Sequence, residues 1–403
     1  MCCRGLFALI LLPSLAWADW PQWRGPQRDG VAEETPKAWP AELKRLWKVE
    51  IGEGHSSPLL VGQRVYSQAR QGDQEIIRAH DLKDGSVLWT QKYKASAALD
   101  SAVGWHGQTP KSTPCLAEGR LFTLSIQGTL HAWDAQSGKM LWRQTFEKAF
   151  PKTYPIYGTA TSPIVHDGRV IVWVGSKKRG ALLALDVKTG KQAWSLPVDG
   201  PGYSSPVIGS FAGLPQLITQ SETLLLGVNP KTGRELWRQA FTTGYDQNSV
   251  TPLLVGDTLV YSGYEKNVLA VRPVKAGTTF KLNEMWKLRE HSFYMSSPVH
   301  RGGVVFGHSM TEGGTLLAVD AQTGKIRWKK AGFGEYCAMI LAGEQLLVQT
   351  TEGKLKLLNA KSAEYEQLRE YTIADDKTWA HPALSGTRLI TKDKAHLYAW
   401  AVE

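Results

Sequence analysis

The sequence has few cysteines for its length and, beyond its N-terminus, no long apolar run. Only 4 of its 403 residues are Cys, and two of these, Cys2 and Cys3, are among the first residues. The other two, Cys115 and Cys337, are too few for a disulfide framework in so large a chain, and we expect both to be free, buried thiols. No internal stretch approaches the ~20 apolar residues of a membrane-spanning helix, so no transmembrane segment is predicted.

Signatures of common catalytic and metal sites are also absent. The histidines do not have the H-x-H or H-E-x-x-H spacing of zinc sites, and no G-x-S-x-G nucleophile motif occurs. No window of the chain has convincing helical periodicity. These absences predict an all-β protein without catalytic residues or metal ligands.

The N-terminus has the pattern of a secretory signal peptide. Arg4 precedes an apolar run, Leu6–Leu12, and Ala16-Trp17-Ala18 supplies a small-residue cleavage site before Asp19. We therefore predict a signal peptide at residues 1–18 and a periplasmic or secreted protein. The two early cysteines precede the apolar run, so the sequence has no lipid-acceptor motif.

The chain is basic, with a formal net charge of +10. Its Lys and Arg residues are spread along the whole sequence rather than gathered in one segment. A dispersed charge favours a solvated basic surface over a nucleic-acid site. No nucleic-acid partner is predicted.

A motif of the form D-x-x-x-G-x-x-x-W recurs through the sequence. The clear copies are Asp81–Gly85–Trp89, Asp134–Gly138–Trp142, Asp186–Gly190–Trp194, Asn229–Gly233–Trp237 and Asp320–Gly324–Trp328. A fixed period of about 40 to 50 residues indicates a stacked or radial repeat. In such a protein most conspicuous residues serve packing, so function is sought where the repeats differ.

Two alternating columns count eight repeats. One column is a Pro that opens a strand, and the other is a small residue in an aliphatic strand. The first column is Pro58, Pro114, Pro163, Pro206, Pro252, Pro298, then Cys337–Met339 in place of Pro, and Pro382; the second is Ala79, Ala132, Ala184, Gly227, Ala270, Ala318, Leu357 and Ala399. Turn residues divide each repeat into four short strands, which predicts an eight-bladed β-propeller of four-stranded antiparallel blades.

The chain ends predict how the ring closes. The last repeat stops after its third strand, whereas the N-terminal segment Leu46–Val49 is a Trp strand with no blade ahead of it. Pairing the two would bury both free edges, so we predict an extended N-terminal arm at residues 19–45 and a propeller at residues 46–403. We expect the Trp of each blade to pack against its neighbour, and we place Gln367 where blade seven lacks that Trp.

The repeat resembles a known family. The pattern L-x-A-L-D-x-x-T-G-K-x-x-W, in Leu182–Trp194 and Leu316–Trp328, resembles the tryptophan-docking repeat of PQQ-type eight-bladed propellers. Two branches share that repeat, the pyrroloquinoline-quinone alcohol dehydrogenases and the BamB family of outer-membrane assembly factors. The leader Trp20–Pro26 also resembles the start of many exported propellers of this type, and we expect it to lie extended on the blades or to bind a partner.

The dehydrogenase branch implies residues that this chain lacks. It implies a vicinal Cys pair against the quinone, and a Glu, an Asn and an Asp around Ca²⁺. No vicinal pair remains after the signal peptide, and Asp246, Asn248 and Glu335 follow no recognisable spacing. We therefore expect no cofactor, with PQQ and Ca²⁺ as the alternative.

The segments just before each strand-opening Pro are where the repeats differ most. They should converge at one mouth of the central channel, and many of their side chains are aromatic rings with a polar tip, which suit a recognition surface or the packing of a plugged channel. The predicted binding face is His55, Lys111, Tyr157, Tyr203, Tyr245, Tyr294, Tyr336 and Trp379.

The leading functional hypothesis is a monomeric, non-catalytic, exported propeller. It would bind a protein or peptide partner of the cell envelope, in envelope or outer-membrane protein assembly. The alternatives are a quinone-dependent dehydrogenase and a carbohydrate-binding propeller.

Overall fold

The protein is an all-β propeller, as predicted. A computed structural model describes residues 19–177 and 179–403, with the backbone alone at 102, 105, 106 and 246. The predicted signal peptide lies outside the described residues. The strands form eight antiparallel sheets, seven of four strands and one of five. In the described part of the chain no helix has the length and apolar character needed to cross a membrane.

Each sheet is one blade, and the strands of a blade follow one another in the chain. Blade one is β3 Leu59–Val61, β4 Arg64–Gln71, β5 Gln74–Asp81 and β6 Val87–Lys94; blade two is β7 Cys115–Ala117, β8 Arg120–Leu124, β9 Leu130–Asp134 and β10 Met140–Gln144; blade three is β11 Ile164–His166, β12 Arg169–Ser176, β13 Arg179–Asp186 and β14 Gln192–Val198; blade four is β15 Val207–Phe211, β16 Leu214–Gln220, β17 Leu224–Val228 and β18 Glu235–Ala240.

The second half of the ring repeats this order with two variations. Blade five is β19 Leu253–Val255, β20 Thr258–Gly263, β21 Lys266–Ala276 and β22 Thr279–Leu288; blade six is β23 Val299–Arg301, β24 Val304–Ser309, β25 Thr315–Asp320 and β26 Ile326–Ala331; blade seven is β27 Cys337–Ala342, β28 Gln345–Thr350, β29 Lys354–Asn359 and β30 Gln367–Thr372, with β1 Val31–Ala32 added in parallel to β27; blade eight is β31 Ala383–Ser385, β32 Arg388–Lys392, β33 His396–Ala401 and β2 Lys44–Glu50. The described residues also include short 3-10 helices at Ser101–His106, Gly244–Asp246 and Thr311–Gly313.

The N-terminal strand closes the ring, as predicted. Strand β2 pairs antiparallel with β33, and Trp47 lies opposite Ala399. The fourth strand of blade eight is therefore supplied by the opposite end of the chain. Cys115 and Cys337 are free and buried, which confirms that prediction as well.

The Gly and the Trp of one copy of the repeated motif contact different neighbouring blades. A Trp indole packs on the turn Gly of the following blade, where a methyl group on Gly138 would lie 2.6 Å from the Trp89 ring. The same indoles donate hydrogen bonds to a turn carbonyl of that following blade. These bonds run from Trp47 to Leu82, Trp89 to Ala135, Trp142 to Val187, Trp194 to Pro230 and Trp286 to Ala321. The Gly of each motif copy thus receives the Trp of the copy before it.

Blade seven corrects one prediction. The residue opposite Leu357 is Arg369, not Gln367, which pairs with Leu358 across a register shift. The spacing from the small-residue position to the Trp position is 10 residues in blade six, from Ala318 to Trp328. In blade seven the longer turn increases it to 12, from Leu357 to Arg369, and the Trp position is therefore taken by an exposed Arg.

A buried ammonium lies at the closing seam between blades eight and one. Lys392 is fully buried, and its Nζ donates to the carbonyls of Gly54 and Asp393. Burial lowers the pKa of Lys392 from 10.5 to about 7, and the negative charges of Asp393 and Glu53 partly oppose this shift. The folded protein therefore binds fewer protons here than the unfolded chain between these two pH values, so its stability should rise with pH over that range.

We expect this effect in the pH dependence of unfolding. Relative to a Lys392→Met variant, the wild-type free energy of unfolding should increase by ~2 kcal/mol from pH 7 to 9, since one pKa unit corresponds to about 1.4 kcal/mol. Denaturant unfolding of both proteins across this range measures the difference. Parallel curves for the two proteins would contradict the assignment.

Candidate functional site

The residue three positions before the strand-opening residue of each blade lines one shared cavity of ≈ 320 Å³. We call these eight residues the mouth column: His55, Lys111, Ala160, Tyr203, Ser249, Met295, Tyr336 and Trp379. We call this cavity the cup. It is lined by Trp23, His55, Val103, Lys111, Tyr157, Ala160, Tyr203, Ser205, Gln247, Ser249, Thr251, Tyr294, Met295, Tyr336 and Trp379. One residue from every blade therefore reaches a common space on the propeller axis.

Seven of the eight residues of the predicted binding face line the cup. The exception is Tyr245, whose side chain is 70% exposed. Its ring lies 6.0 Å from that of Tyr264, which in turn lies 4.9 Å from the ring of Tyr294. Tyr245 thus reaches the cup only through two further tyrosines.

Aromatic rings form opposite parts of the cup wall. Tyr336 and Trp379 stack with centroids 5.4 Å apart and planes 14° apart, and His55 meets Trp379 edge-on at 6.3 Å. Tyr157 and Tyr203 pack at 5.7 Å. Burial raises the pKa of Tyr294 to about 12 and that of Tyr336 further. These phenols are therefore neutral at physiological pH and present apolar faces together with hydrogen-bonding hydroxyls.

Hydroxyl groups hold the wall of the cup together. The residue directly before each strand-opening Pro is usually Ser or Thr, and its backbone N–H donates to the hydroxyl of the corresponding residue in the next blade. The bonds run from Ser57 to Thr113 at 3.2 Å, and from Thr113 to Ser162, Ser162 to Ser205 and Thr251 to Ser297 at 3.0 Å each. His381 of blade eight donates to Ser57 of blade one at 2.9 Å and so continues the chain across the closing seam.

Two long connections build one side of the cup. The segment at residues 95–114, between blades one and two, supplies Val103 and Lys111, and the segment at 145–163, between blades two and three, supplies Tyr157. The Lys111 ammonium donates to the carbonyl of Gly107 at 3.0 Å. Burial lowers the pKa of Lys111 to about 8, so this group is still mostly protonated at neutral pH.

The N-terminal arm closes the cup from below. Trp23 lines the cup, and its indole donates to the Thr251 hydroxyl at 3.0 Å. Residues 20–30 contact all eight blades. The contacts, in blade order from one to eight, are to Leu60, Leu116, Pro163, Pro206, Thr251, Pro298, Leu341 and the ring of His381. A segment this short touches every blade because it lies across the central channel.

Two buried arginines fix the arm in the channel. Arg28 donates to the carbonyls of Pro163 at 2.5 Å and Pro206 at 2.6 Å. Arg24 donates to the carbonyls of Pro298 and Asp29. Burial lowers the pKa of both guanidinium groups to about 10, so both remain charged. The strand-opening prolines thus offer carbonyls that the arm uses as acceptors.

Sequence reasoning missed this depth of insertion. The leader was expected to lie extended on the blades or to bind a partner, but it lies across the channel beneath the cup, and the arm that follows it adds β1 to blade seven. The composition of the leader contained a usable signal. Two arginines, two tryptophans and two glycines lie close together at residues 20–30. The structure shows why one of these glycines is needed, since a methyl group added at Gly30 would lie 3.0 Å from the Met339 carbonyl oxygen.

The described residues of the cup do not fit a quinone held by Ca²⁺. Calcium takes 6–8 oxygen ligands, mainly carboxylates and carbonyls, and none of the described lining side chains is Asp or Glu. Asn248 is buried, and its amide donates to the carbonyls of Ser221, Glu222 and Phe241. Glu335 is exposed and does not line the cup. Within the described part of the chain, no three His, Cys, Asp or Glu side chains are grouped so that they could hold a metal ion.

Comparison with known proteins gives a family match and two structural neighbours. The family model described as outer membrane protein assembly factor BamB matches residues 73–330. The curated protein of that description from Burkholderia pseudomallei is 25% identical over 351 residues, which cover 77% of this chain and 87% of that protein.

The structural neighbours come from both branches of the resemblance. The crystal structure of BamB from Moraxella catarrhalis superposes with a TM-score of 0.64 at 15% identity, over 89% of this chain and 99% of that one. The quinohemoprotein alcohol dehydrogenase from Comamonas testosteroni has a TM-score of 0.72 at 15% identity, over 96% and 80% of the two chains. At this identity both likenesses describe the fold alone.

Proposed function

We propose that this chain, which belongs to the outer membrane protein assembly factor BamB family, is a non-catalytic propeller of the cell envelope that holds a peptide segment of a partner protein in its cup. One observation carries the proposal. The mouth-column residues of all eight blades meet in a cavity rich in neutral aromatic and hydroxyl groups.

The chemistry of the cup suits a peptide. Tyr and Trp provide large apolar contact faces with a polar group at one end, and such residues dominate the binding energy of many protein interfaces. Seryl and threonyl hydroxyls beside them can bond the main-chain groups of an extended segment. The hydrogen bonds between Ser and Thr residues of neighbouring blades hold this surface in place, so a partner would lose little energy in ordering it.

The arm makes the cup one-sided. Trp23 and the buried arginines close the channel beneath the cup, so a partner segment enters and leaves through the same mouth. A protruding loop or a chain end meets this requirement, whereas a segment threading the channel does not. Tyr245 and Met295, at or near the mouth, have positive φ angles of 57° and 56°, and such strained residues concentrate at ligand-binding sites.

Relatives support the choice of a protein partner in the envelope. The curated protein from Burkholderia pseudomallei is named as an outer-membrane protein assembly factor, and the signal-peptide prediction agrees with an exported location. We propose that the chain works as a monomer on the periplasmic side, without a cofactor and without nucleic acid. No Asp or Glu carboxylate that could bind Ca²⁺ occurs among the described residues that line the cup, which supports a function without the quinone.

Site-specific photo-crosslinking tests this function. A photoreactive amino acid replaces Tyr203 in the cup, and in a control protein it replaces the exposed Thr90 on the outer strand of blade one. In the native envelope, protein adducts should form at position 203 and not at position 90. They should fall at least fivefold when Trp379→Ala is added, because that change removes one wall of the cup. Equal labelling at both positions, or alcohol-dependent dye reduction after incubation with the quinone and Ca²⁺, would refute the proposal.

A further inference from the structure

The cup combines an aromatic wall with positive charge that no described lining carboxylate balances. Lys111 is the only Lys or Arg among the described residues that line the cup, and its hydrogen bond goes to the neutral carbonyl of Gly107. Below the floor lie Arg24 and Arg28, both 1% exposed. The cup and its floor therefore carry three basic side chains.

Two acidic groups lie near these three cations and offset part of their charge. Asp29 lies beside Arg24 and accepts a hydrogen bond from the backbone N–H of Val31. Glu75 interacts electrostatically with Lys111, but it is completely buried between other donors and burial raises its pKa. A recess with low-dielectric walls and charges of one sign concentrates the electric field at its mouth. The cup should therefore attract an anionic group.

We propose that the cup binds a carboxylate of the partner peptide, paired with the Lys111 ammonium, while the apolar side chain next to that carboxylate packs among the cup's aromatic rings. This inference deepens the proposed function and rests on it. It specifies the chemistry of the peptide: an acidic group adjacent to an aromatic or aliphatic one. The carboxylate could be that of a chain end or of an Asp or Glu side chain.

The positions of the cup residues support this pairing. Lys111 lies in the connection before blade two, and the Tyr157–Tyr203 pair lies in the connections before blades three and four, so all three line the same cavity and one ligand can meet them. A cavity of ≈ 320 Å³ is at the small end of ligand sites, which matches one anchoring group and its neighbour rather than a folded partner. The rest of a partner would contact the rim, where Tyr245 is exposed and its ring lies beside that of Tyr264.

Three small probes separate the contributions in ligand-observed NMR titrations of the full chain. N-acetyl-phenylalanine has its carboxylate at a chain end, N-acetyl-glutamyl-phenylalaninamide has it on a side chain, and N-acetyl-phenylalaninamide has none. At least one carboxylate probe should bind at least tenfold more tightly than the neutral amide, and the tighter of the two identifies the source of the anion. In Lys111→Met this preference should fall below twofold, and in the exposed control Lys92→Met it should stay unchanged.

A second measurement on the wild-type protein does not depend on the variant folding. Because the pKa of Lys111 is about 8, binding of the carboxylate probe should weaken at least fivefold from pH 7 to 9.5, whereas binding of the neutral amide should not change. Arg24 and Arg28 keep most of their charge over much of this range. Among the described residues, the other titratable groups at or near the cup include His55, Asp29, Glu75 and the tyrosines of the cup wall.

The outcomes distinguish two failures. If the neutral amide binds as tightly as both carboxylate probes, the cup has no anion site and this inference is wrong, while the proposed function stands. If no probe binds and the crosslinks at position 203 are also absent, the proposed function fails with it. Tighter binding of methyl glucoside than of either carboxylate probe would assign the cup to sugars instead.

Discussion

Replacing Trp194 with Ala should lower the free energy of unfolding by about 3–5 kcal/mol, the range found when large buried aromatic side chains are truncated. Trp194 is 8% exposed, and its indole donates to the Pro230 carbonyl of the next blade at 3.0 Å. The ring also packs on Gly233, where an added methyl group would lie 2.6 Å from it. The variant therefore loses a hydrogen bond and leaves a cavity between blades three and four. Denaturant unfolding followed by fluorescence and circular dichroism measures the change.

Trp328 provides a matched control at the same repeat position. It is only half-buried, and it meets Tyr365 of blade seven edge-on at 5.7 Å instead of a turn glycine. Trp328→Ala should therefore cost less than half as much as Trp194→Ala. Equal losses for the two variants would mean that the contact with the following blade is not the source of the stability.

Replacing Arg28 with Ala should also destabilise the protein by about 3–5 kcal/mol, because hydrogen bonds to charged groups contribute ~1.5–3 kcal/mol each. Arg28 is buried, and it bridges the carbonyls of blades three and four from inside the channel. Its removal leaves these acceptors without their donor and frees one side of the arm. Chemical unfolding gives the energy, and limited proteolysis at residues 19–43 reports the release of the arm.

Arg45 gives the control for charge alone. It is exposed on strand β2, so Arg45→Ala should change stability by less than about 0.5 kcal/mol. If Arg28→Ala behaves like Arg45→Ala, and the arm stays resistant to protease in both, the arm lies on the channel without stabilising the ring. In that case the floor of the cup would also be open to displacement.

The ring could be counted from the sequence because its signal is repeated. Pro58 and Ala79 each recur as columns along the chain, and every copy adds to the same inference about period and strand order. The orphan Trp strand predicted the closure through Trp47, because a free edge at one end of the chain complements a missing strand at the other. Free, buried thiols at Cys115 and Cys337 followed from the small number of cysteines in so large a chain.

An irregular turn length in blade seven made the residue spacing predict the wrong residue at the Trp position. Gln367 was placed at the Trp position by its distance from Leu357, but the longer turn of blade seven moves the pairing to Arg369. A turn can gain residues without changing which strands pair, so the average period of the repeat does not detect the inserted residues. Tyr365, within that turn, fills the place of the missing glycine against Trp328.

The sequence by itself determined the scaffold and the convergence of the mouth column, because both follow from periodicity and from the rule that equivalent residues of a closed ring face one axis. Only the tertiary structure decided what fills that axis. The insertion of Trp23, Arg24 and Arg28 depends on carbonyls from blades far apart in the chain, which no local pattern encodes. The same long-range packing makes the channel a closed cup and leaves Lys111 as the cation within it.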